Sequence, residues 1–351
     1  MSVIIGWDIG GVHLKAVRAE NGQIVKAAQY ASPLRSGTEL LQDALARARG
    51  DMGHGDRNVI TMTGELADIF TSRQHGVEQL SLLAERELEN VSIYAGPLGF
   101  ITGTEAARHS SEIASANWHA SAAVVAQRRK AGLFIDVGST TTDVVPIANG
   151  KVAARGYTDA ERLATGELVY TGLVRSFLMA TAPRAPLNGV WSSLINENFA
   201  TMADVHRILG TLPAGVDLMP TADGREKSVS ASRARLARMV GSDADADGKT
   251  VDDKTMDDKT VDDETWDLLA RWFAEAQRRA IADAAMLVMS RCVTASAGPV
   301  IVAGIGVSLV AEVAQRLGLS CQRFDELLDV VPQVRDTVCH CAPAAALTAL
   351  A

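Results

Sequence analysis

The sequence predicts an α/β protein, and three observations support this prediction. Short apolar runs typical of buried strands alternate with longer segments of helical periodicity along most of the 351 residues. A strand–turn–strand unit, with aspartate at the end of its first strand and glycine in its turn, occurs twice, at residues 3–19 and 131–150. A late apolar strand runs through a glycine turn into a helix at residues 298–317. The length suits two domains, which we assign to residues 1–129 and 130–351.

The composition argues against a nucleic-acid-binding or membrane protein. The formal net charge is −8 and no long basic run occurs, whereas nucleic-acid-binding domains are usually basic. No apolar segment approaches the ~20 residues needed to span a bilayer, and the first residues lack a basic region and a cleavage site. Four cysteines at uneven spacing do not form a disulfide framework. We therefore expect a cytoplasmic protein, and the sequence leaves a homodimer open.

The first domain opens with a predicted meander of three strands, at residues 3–7, 14–19 and 23–30. The first turn carries Asp8, followed by Gly10 and Gly11, which let a bound group approach the backbone closely. Lys15 places a cation beside this turn. Later in the domain the patterns predict strands at residues 58–62 and 91–94, and helices at residues 39–49, 64–74, 76–86, 116–129 and from 104 onwards.

The second hairpin has a tip rich in hydroxyl groups. The apolar run 133–135 ends in Asp136, and a second apolar run, 144–147, follows Asp143. Between the two aspartates lie the residues Gly138, Ser139, Thr140, Thr141 and Thr142. Backbone N–H and side-chain O–H donors at such a tip suit a phosphate, and the neighbouring carboxylates suit a hard cation that accompanies it.

The remainder of the second domain is predicted mostly helical, with helices at residues 160–179, 230–240, 264–291, 309–317 and 341–350. The segment 181–230 is predicted to be irregular. It contains Arg225, which could meet an anionic substrate, although arginines here also suit a solvated helix face. An acidic insertion at 243–264 contains a five-residue unit repeated three times, which predicts a solvated, mobile surface segment. The last helix could pack back on the first domain.

Three motifs together resemble the actin/hexokinase/Hsp70 ATPase-like superfamily. They are Asp8-Ile9-Gly10-Gly11, the run from Asp136 to Asp143, and Ala303-Gly304-Ile305-Gly306. They are similar to the first phosphate, second phosphate and adenosine motifs of that superfamily. The resemblance implies a two-domain actin-like (ribonuclease H-like) fold with a cleft between the domains. The run Asp-x-Gly-Ser-Thr-Thr-Thr-Asp resembles the hydantoinase/oxoprolinase-related branch in particular.

Longer blocks across nearly the whole chain resemble one family within this branch, the tetrahydromethanopterin-linked C1-transfer pathway proteins of methylotrophs and methanogens. The blocks are GWDIGGVHLKAV (6–17), TMTGELADIF (61–70), YAGPLGF (94–100), ASANWHASA (114–122), IDVGSTTTDVVPI (135–147), TGELVYTGLVR (165–175), FATMADVHRILG (199–210) and PTADGREKSVSASRARLARMVG (220–241). That family is related to an archaeal enzyme of methanofuran biosynthesis. The resemblance implies a transferase that joins γ-glutamyltyramine to an aminomethyl-furanmethanol diphosphate and releases diphosphate.

Two departures from the broader superfamily bear on the ligand. The first loop has Val12 and His13 where sugar-kinase relatives commonly carry a hydroxyl residue. The run 303–306 is poorer in glycine than the kinase form. Both departures favour diphosphate over ATP as the ligand, with ATP retained as an alternative.

The resemblance and the motif chemistry together predict a set of site residues. Asp8, Asp136 and Asp143 are expected to hold Mg²⁺, mostly through water. Lys15 is expected to stabilise the leaving group, and His13 or Glu65 to act as the base. The predicted phosphate-binding residues are Gly10, Gly11, Gly138, Ser139, Thr140, Thr141, Gly304 and Gly306. The predicted substrate contacts are Asn117, His119 and Arg225.

Two other classes of function remain open from the sequence. One is a small-molecule kinase or an ATP-dependent amidohydrolase that uses the same cleft with ATP. The other is a non-catalytic regulator that binds a nucleotide. ATP consumption would indicate the first, and binding without turnover would indicate the second.

Overall fold

The computed structural model describes residues 2–244 and 263–351. The acidic repeat lies almost entirely outside the described residues, so the expected mobile insertion stays a prediction. In the part of the chain that is described, no helix is both long and apolar enough to cross a membrane.

The first half of the chain forms a six-stranded mixed sheet with four helices. Its strands are β1 (Val3–Ile9), β2 (His13–Glu20), β3 (Gln23–Ala31), β4 (Arg57–Met62), β5 (Val91–Tyr94) and β6 (Phe100–Ile101). Its helices are α1 (Glu39–Met52), α2 (Arg73–Glu87), α3 (Ser110–Ile113) and α4 (Asn117–Arg128). The strand order is β3-β2-β1-β4-β5-β6, with β1, β2 and β3 antiparallel and β1, β4 and β5 parallel.

The second half builds another six-stranded sheet, which again starts with an antiparallel hairpin. Its strands are β7 (Ala131–Val137), β8 (Thr142–Ala148), β9 (Lys151–Val152), β10 (Leu168–Val169), β13 (Val300–Gly304) and β14 (Cys321–Arg323). The order is β10-β8-β7-β13-β14, with β9 paired to β8. Strand β13 runs parallel to β7, as β4 does to β1, so the two sheets share the same central arrangement.

A small hairpin and eight helices complete the described part of the second half. The hairpin strands are β11 (Arg184–Leu187) and β12 (Val190–Ser193). The helices are α5 (Asp159–Thr165), α6 (Leu178–Thr181), α7 (Met202–Ile208), α8 (Val229–Met239), α9 (Asp263–Arg291), α10 (Val307–Arg316), α11 (Arg335–His340) and α12 (Ala342–Leu350). Residues from α6, α7, α8, α9 and β11 share a core cluster of their own, apart from the two sheets.

The hydrophobic cores explain how the two sheets are held. In the first sheet, the side chains of Ile5, Trp7 and Ile9 pack with residues of α1 and α2. Helix α12 packs on β1, β2, β4 and α4. It comes close to β1 at Gly6, where a Cβ atom would overlap the carbonyl oxygen of Ala344. A second cluster joins α4 and α12 to residues of both sheets, so the C-terminal helix is part of the contact between the two halves.

Several helix predictions are wrong, and local capping explains the differences. Residues 64–72 form a short 3-10 turn and a loop. Helix α2 begins only at Arg73, where Ser72 caps it by accepting a hydrogen bond from the His75 N–H at 3.1 Å. The predicted helix 160–179 ends at Thr165, where Gly166 adopts a left-handed conformation with φ of 71°. The helix expected from residue 104 begins only at Ser110. The segment expected to be irregular contains β11, β12 and α7.

Gly304 ends β13 in a conformation and a space that only glycine fits. Its φ is 82°, and a Cβ atom there would overlap the Val137 carbonyl oxygen and the Asp136 carboxylate. Gly318 has a similar φ of 69°, but a Cβ atom at that position would meet open space. Gly304 is therefore required by its neighbours as well as by its backbone.

We expect Gly304→Ala to lower the free energy of unfolding by roughly 2 kcal/mol more than Gly318→Ala, measured by urea denaturation. Both variants bear the cost of a positive φ, about 1–2 kcal/mol, but only the first also forces atoms apart beneath Asp136. Equal losses in the two variants would show that the contact with β7 is not tightly packed.

Candidate active site

The end of the first hairpin holds a buried ion pair. In the β1–β2 register Asp8 lies opposite Lys15, and Lys15 Nζ is 3.5 Å from Asp8 Oδ2. Asp8 is only 3% exposed, and its other oxygen, Oδ1, is buried without a hydrogen-bond partner among the residues described. Burial raises the pKa of Asp8, an effect that Lys15 opposes.

The end of the second hairpin adds two carboxylates to the same site. Asp136 and Asp143 are paired across β7 and β8. Burial raises the pKa of Asp136 to about 7; Lys15 opposes this rise, whereas the charges of Asp143 and Asp8 add to it. Because Lys15 and Asp8 of the first hairpin act on Asp136, the ends of the two hairpins lie close to each other.

Lys15 is the cation between these carboxylates. Burial alone would lower its pKa, but the charges of Asp8 and Asp136 outweigh burial and raise the pKa above the ordinary value. The ammonium group therefore stays charged at neutral pH. It is stabilised by carboxylates from both halves of the chain.

Arg162 is a buried cation that sequence reasoning missed. Its Nη2 lies 2.9 Å from Asp143 Oδ1, and its guanidinium lies 4.0 Å from the centre of the Trp118 ring. Arg162 is 1% exposed. It belongs to α5, where it follows the acidic residues of the first turn, and its local sequence carries no motif. Because it neutralises Asp143, fewer of the predicted metal-binding carboxylates are free to bind an ion directly.

The carboxylates suit Mg²⁺ held mainly through water. Across residues 2–244 and 263–351, no three His, Cys, Asp or Glu side chains are grouped closely enough to ligate one ion directly. The unpartnered Asp8 oxygen and the nearby Asp136 nevertheless offer the hard oxygen donors that Mg²⁺ prefers. Mg²⁺ commonly keeps several waters and binds through one or two carboxylates and the substrate phosphates. The donor set fits that mode of binding.

The hydroxyl-rich tip is held rigidly by the chain that follows α5. The Ser139 carbonyl accepts hydrogen bonds from the N–H groups of Val174 at 3.1 Å and Arg175 at 2.8 Å. Gly172 lies so close that a Cβ atom would overlap the Ser139–Thr140 peptide. The Ser139 hydroxyl is buried and has no partner among the described residues. The tip is thus preorganised, with an unused donor.

The predicted phosphate-binding glycines have different roles in the structure. The N–H groups of Gly10 and Gly138 close their own turns, with bonds of 2.9 Å to the carbonyls of His13 and Thr141. Gly11, by contrast, has open space where a side chain would be. The Gly306 N–H donates to the Val137 carbonyl at 3.1 Å, and Gly304 packs beneath Asp136. The open space around Gly11 and the donors at 139–141 are therefore best suited to a phosphate.

The two candidate bases, His13 and Glu65, are both buried, and burial shifts their pKa values in opposite directions. Burial, together with the charges of Lys15 and Arg175, lowers the pKa of His13 to about 4, so the imidazole is neutral at pH 7. Burial raises the pKa of Glu65 to about 7. Glu65 Oε1 accepts a hydrogen bond from Ser115 Oγ at 2.9 Å, and Oε2 is buried without a partner among the described residues.

Glu65 also lies at a contact between the halves. Ser115 Oγ is 3.3 Å from Asp159 Oδ2, and Asp159 forms an ion pair of 2.7 Å with Arg73. Ser115 has a φ of 54°, which is unusual for a residue other than glycine. This link was not predicted, because it joins residues distant in sequence whose local patterns give no sign of pairing.

The three predicted substrate contacts lie in different environments. His119 Nδ1 is 2.9 Å from the Tyr94 hydroxyl, and burial lowers the pKa of this histidine to about 4. Asn117 Oδ1 accepts a hydrogen bond from the Trp118 N–H at 2.8 Å, at the start of α4. The Arg225 side chain is 65% exposed and its nearest carboxylate contact is Asp223, at 4.0 Å. The roles of these residues in substrate binding stay predictions.

Comparison with known proteins shows the family to which the chain belongs. The family model for hydantoinase/oxoprolinase matches residues 56–326. The chain is 31% identical over 246 residues to the (4-{4-[2-(gamma-L-glutamylamino)ethyl]phenoxymethyl}furan-2-yl)methanamine synthase of Methanocaldococcus jannaschii, covering 69% of this chain and 73% of the relative. It is 32% identical over 111 residues to the synthase of the same name from Methanococcus vannielii, covering 32% of this chain and 50% of that protein.

A solved structure supports the predicted fold. The nucleotide-free structure of acetone carboxylase aligns over 98% of this chain and 70% of its own, with a TM-score of 0.58 and 10% sequence identity. At that identity the likeness concerns the fold alone. Together with the two similarly arranged sheets, it confirms the predicted α/β, actin-like ATPase fold. Since the family model covers most of the sequence and the archaeal relative is similar over two thirds of it, the chain belongs to the hydantoinase/oxoprolinase family.

Proposed function

We propose that this protein is a transferase that joins a phenol to a furanylmethyl diphosphate through an aryl ether bond and releases diphosphate. The substrates we propose are γ-glutamyltyramine and aminomethyl-furanmethanol diphosphate, because the ether product of that pair is the compound named in the archaeal relatives. The observation that carries the proposal is the charged Lys15, stabilised by carboxylates from both hairpins beside a hydroxyl-rich tip. Such a site suits a leaving group that gains negative charge.

In the proposed reaction the phenol oxygen attacks the furanyl CH₂ carbon. A new C–O bond forms, the bond from that carbon to the diphosphate oxygen breaks with its electron pair, and the phenolic proton passes to a base. Lys15, the Ser139 hydroxyl and the donors at Thr140 and Thr141 stabilise the charge that develops on the departing diphosphate. Mg²⁺, held by Asp8 and Asp136 mainly through water, would neutralise part of the same charge. Asp143 is the third carboxylate of the site, and it is paired with Arg162.

Glu65 is the better candidate for the base. A free phenol has a pKa of about 10, so a base with a pKa near the working pH is better matched to it than one near 4. The pKa of Glu65 is raised to about 7, whereas that of His13 is lowered to about 4. The unpartnered Oε2 of Glu65 is available to accept a proton.

We expect kcat/KM of the wild-type protein to rise with pH and to level off above about 7, because Glu65 must lose its proton to act as a base and its pKa is raised to that value. Measured in saturating Mg²⁺, which keeps Asp136 ionised, Glu65→Gln should lower kcat by about 100-fold and remove this rise. His13→Gln is the matched comparison and should keep the rise. A pH profile that is unchanged in Glu65→Gln would exclude Glu65 as the base.

The function itself is tested by incubating the purified protein with Mg²⁺ and different substrate sets. We expect diphosphate release only when the phenol and the furanyl diphosphate are both present, with no requirement for ATP. ATP consumption would instead indicate the kinase or amidohydrolase class. Binding of a nucleotide without turnover would indicate a regulator. We place the reaction in the cytoplasm, which suits the free thiols of Cys292, Cys321, Cys339 and Cys341.

A further inference from the structure

An arginine lies next to each hairpin tip, and neither was expected to have a role. Arg175 follows the chain segment that holds the second tip, with its N–H bonded to the Ser139 carbonyl at 2.8 Å. Its Nη1 is 3.4 Å from Thr140 Oγ1, on the hydroxyl-rich tip itself. Arg35 lies in the short turn Leu34–Ser36 that follows β3. The Leu34 N–H donates to the Gly11 carbonyl at 3.0 Å, which fixes this turn to the first tip.

Within the described part of the chain, no carboxylate neutralises the charge of either guanidinium group. Among residues 2–244 and 263–351, neither Arg35 nor Arg175 has an Asp or Glu oxygen within 4.0 Å. Arg175 is partly buried, whereas Arg35 is exposed. Burial lowers the pKa of Arg175, Tyr170 raises it, and the charge of Arg35 lowers it further, so the two cations are close enough to repel each other. Taking a guanidinium charge out of water is costly unless an anion pairs with it.

Arg175 also affects a residue of the first hairpin. Its charge contributes to lowering the pKa of His13, which begins β2 directly after the first loop. Arg175 is therefore near both tips, and an anion placed between the tips would relieve its repulsion from Arg35. An arginine fork can bind phosphate oxygens through two parallel hydrogen bonds.

We propose that Arg175 and Arg35 form an anion clamp across the cleft, which holds the terminal phosphate of a diphosphate group whose other phosphate lies against Lys15. This deepens the proposed function and rests on it for the identity of the diphosphate. A clamp with separate cations for two phosphates selects diphosphate over a single phosphate. The chemistry recognised is that of an inorganic or organic diphosphate.

The test is calorimetric binding of inorganic diphosphate and of orthophosphate, without any turnover. We expect Arg175→Gln to weaken diphosphate binding by about 10-fold or more, and to reduce the preference for diphosphate over orthophosphate. Arg175→Lys should lose less, because it keeps the charge but not the fork. Arg279→Gln is the matched control, since Arg279 is 76% exposed and pairs with the exposed Asp283. It should bind diphosphate as the wild type does.

Arg35→Gln keeps the test decisive if Arg175→Gln fails to fold. Arg35 is exposed and makes no ion pair in the described ranges, so its replacement should leave folding intact while weakening diphosphate binding about 3-fold. Unchanged diphosphate affinity in folded Arg175→Gln, or in Arg35→Gln, would overturn the clamp. Ether formation together with unchanged affinity would refute the clamp alone. If the variants lose diphosphate affinity and the wild-type protein forms no ether, the clamp is supported and the proposed reaction is refuted.

Discussion

Replacing Lys15 with methionine is expected to lower kcat/KM by roughly 100- to 1,000-fold, the usual effect of removing one donor that stabilises developing charge. Methionine keeps much of the length and volume of the side chain, so the change removes the charge with little loss of packing. Lys15 is the cation shared by Asp8 and Asp136, and its raised pKa keeps it charged throughout the neutral range. The measurement is steady-state release of diphosphate with both substrates varied.

Lys151→Met is the matched control for this variant. Lys151 is exposed at the start of the two-residue strand β9, away from the two hairpin tips. The Lys151→Met variant should have the same kcat/KM as the wild-type protein. If Lys15→Met kept more than about a tenth of the wild-type activity, Lys15 would not be the group that stabilises the departing diphosphate.

Replacing Asp8 with asparagine is the second change with a large expected effect. We expect a loss of roughly 10- to 100-fold in activity, or in the apparent affinity for Mg²⁺, which is typical when a group that orients a metal through water is removed. The carboxylate has one oxygen near Lys15 and one buried oxygen without a described partner, and asparagine removes the charge from both. Activity is measured across a Mg²⁺ titration, so that a weaker metal site is separated from a slower reaction.

The control for Asp8 is Asp43→Asn on the exposed face of α1. It should leave the Mg²⁺ titration unchanged. Undiminished turnover of Asp8→Asn in saturating Mg²⁺, with an unchanged midpoint, would remove Asp8 from the metal site.

The parts of the fold that the sequence predicted are those controlled by local backbone chemistry. The turns at Asn21-Gly22 and Asn149-Gly150 have positive φ at both residues, 50° and 86° in the first and 55° and 69° in the second. This conformation suits asparagine and glycine and matches the twist of the flanking strands, so a hairpin could be predicted from two residues. Long helices with strong periodicity, such as α9, were predicted for the same local reason.

The incorrect helix predictions arose where tertiary contacts override a periodic pattern. Residues 166–176 belong to the helix predicted at 160–179. In the structure, however, Leu168 and Val169 pair with β8, and the Gly172 N–H donates to Ser176 Oγ at 2.7 Å. In this non-helical conformation the segment forms a rigid support for the hydroxyl-rich tip. Propensity cannot predict this, because the partner strand lies more than 20 residues earlier in the chain.

The candidate site was predicted in its motifs but not in its electrostatics. Asp8, Asp136 and Lys15 were chosen from two hairpins of similar construction, and the structure brings all three together. That Arg162 neutralises Asp143, and that Arg175 lies beside Thr140, depends on residues whose local sequence carries no motif. The pKa values of Glu65 and His13 depend on burial, which becomes known only once the two halves are packed.

In the proposed reaction the phenol oxygen attacks carbon and displaces diphosphate, rather than attacking phosphorus as in a kinase. The most direct test is to label the phenol oxygen of γ-glutamyltyramine with ¹⁸O and to analyse the products by mass spectrometry. We expect ¹⁸O in the ether product and unlabelled diphosphate, in equal amounts. A phosphorylated phenol carrying the label, with release of the furanyl alcohol or its monophosphate, would contradict the proposed reaction.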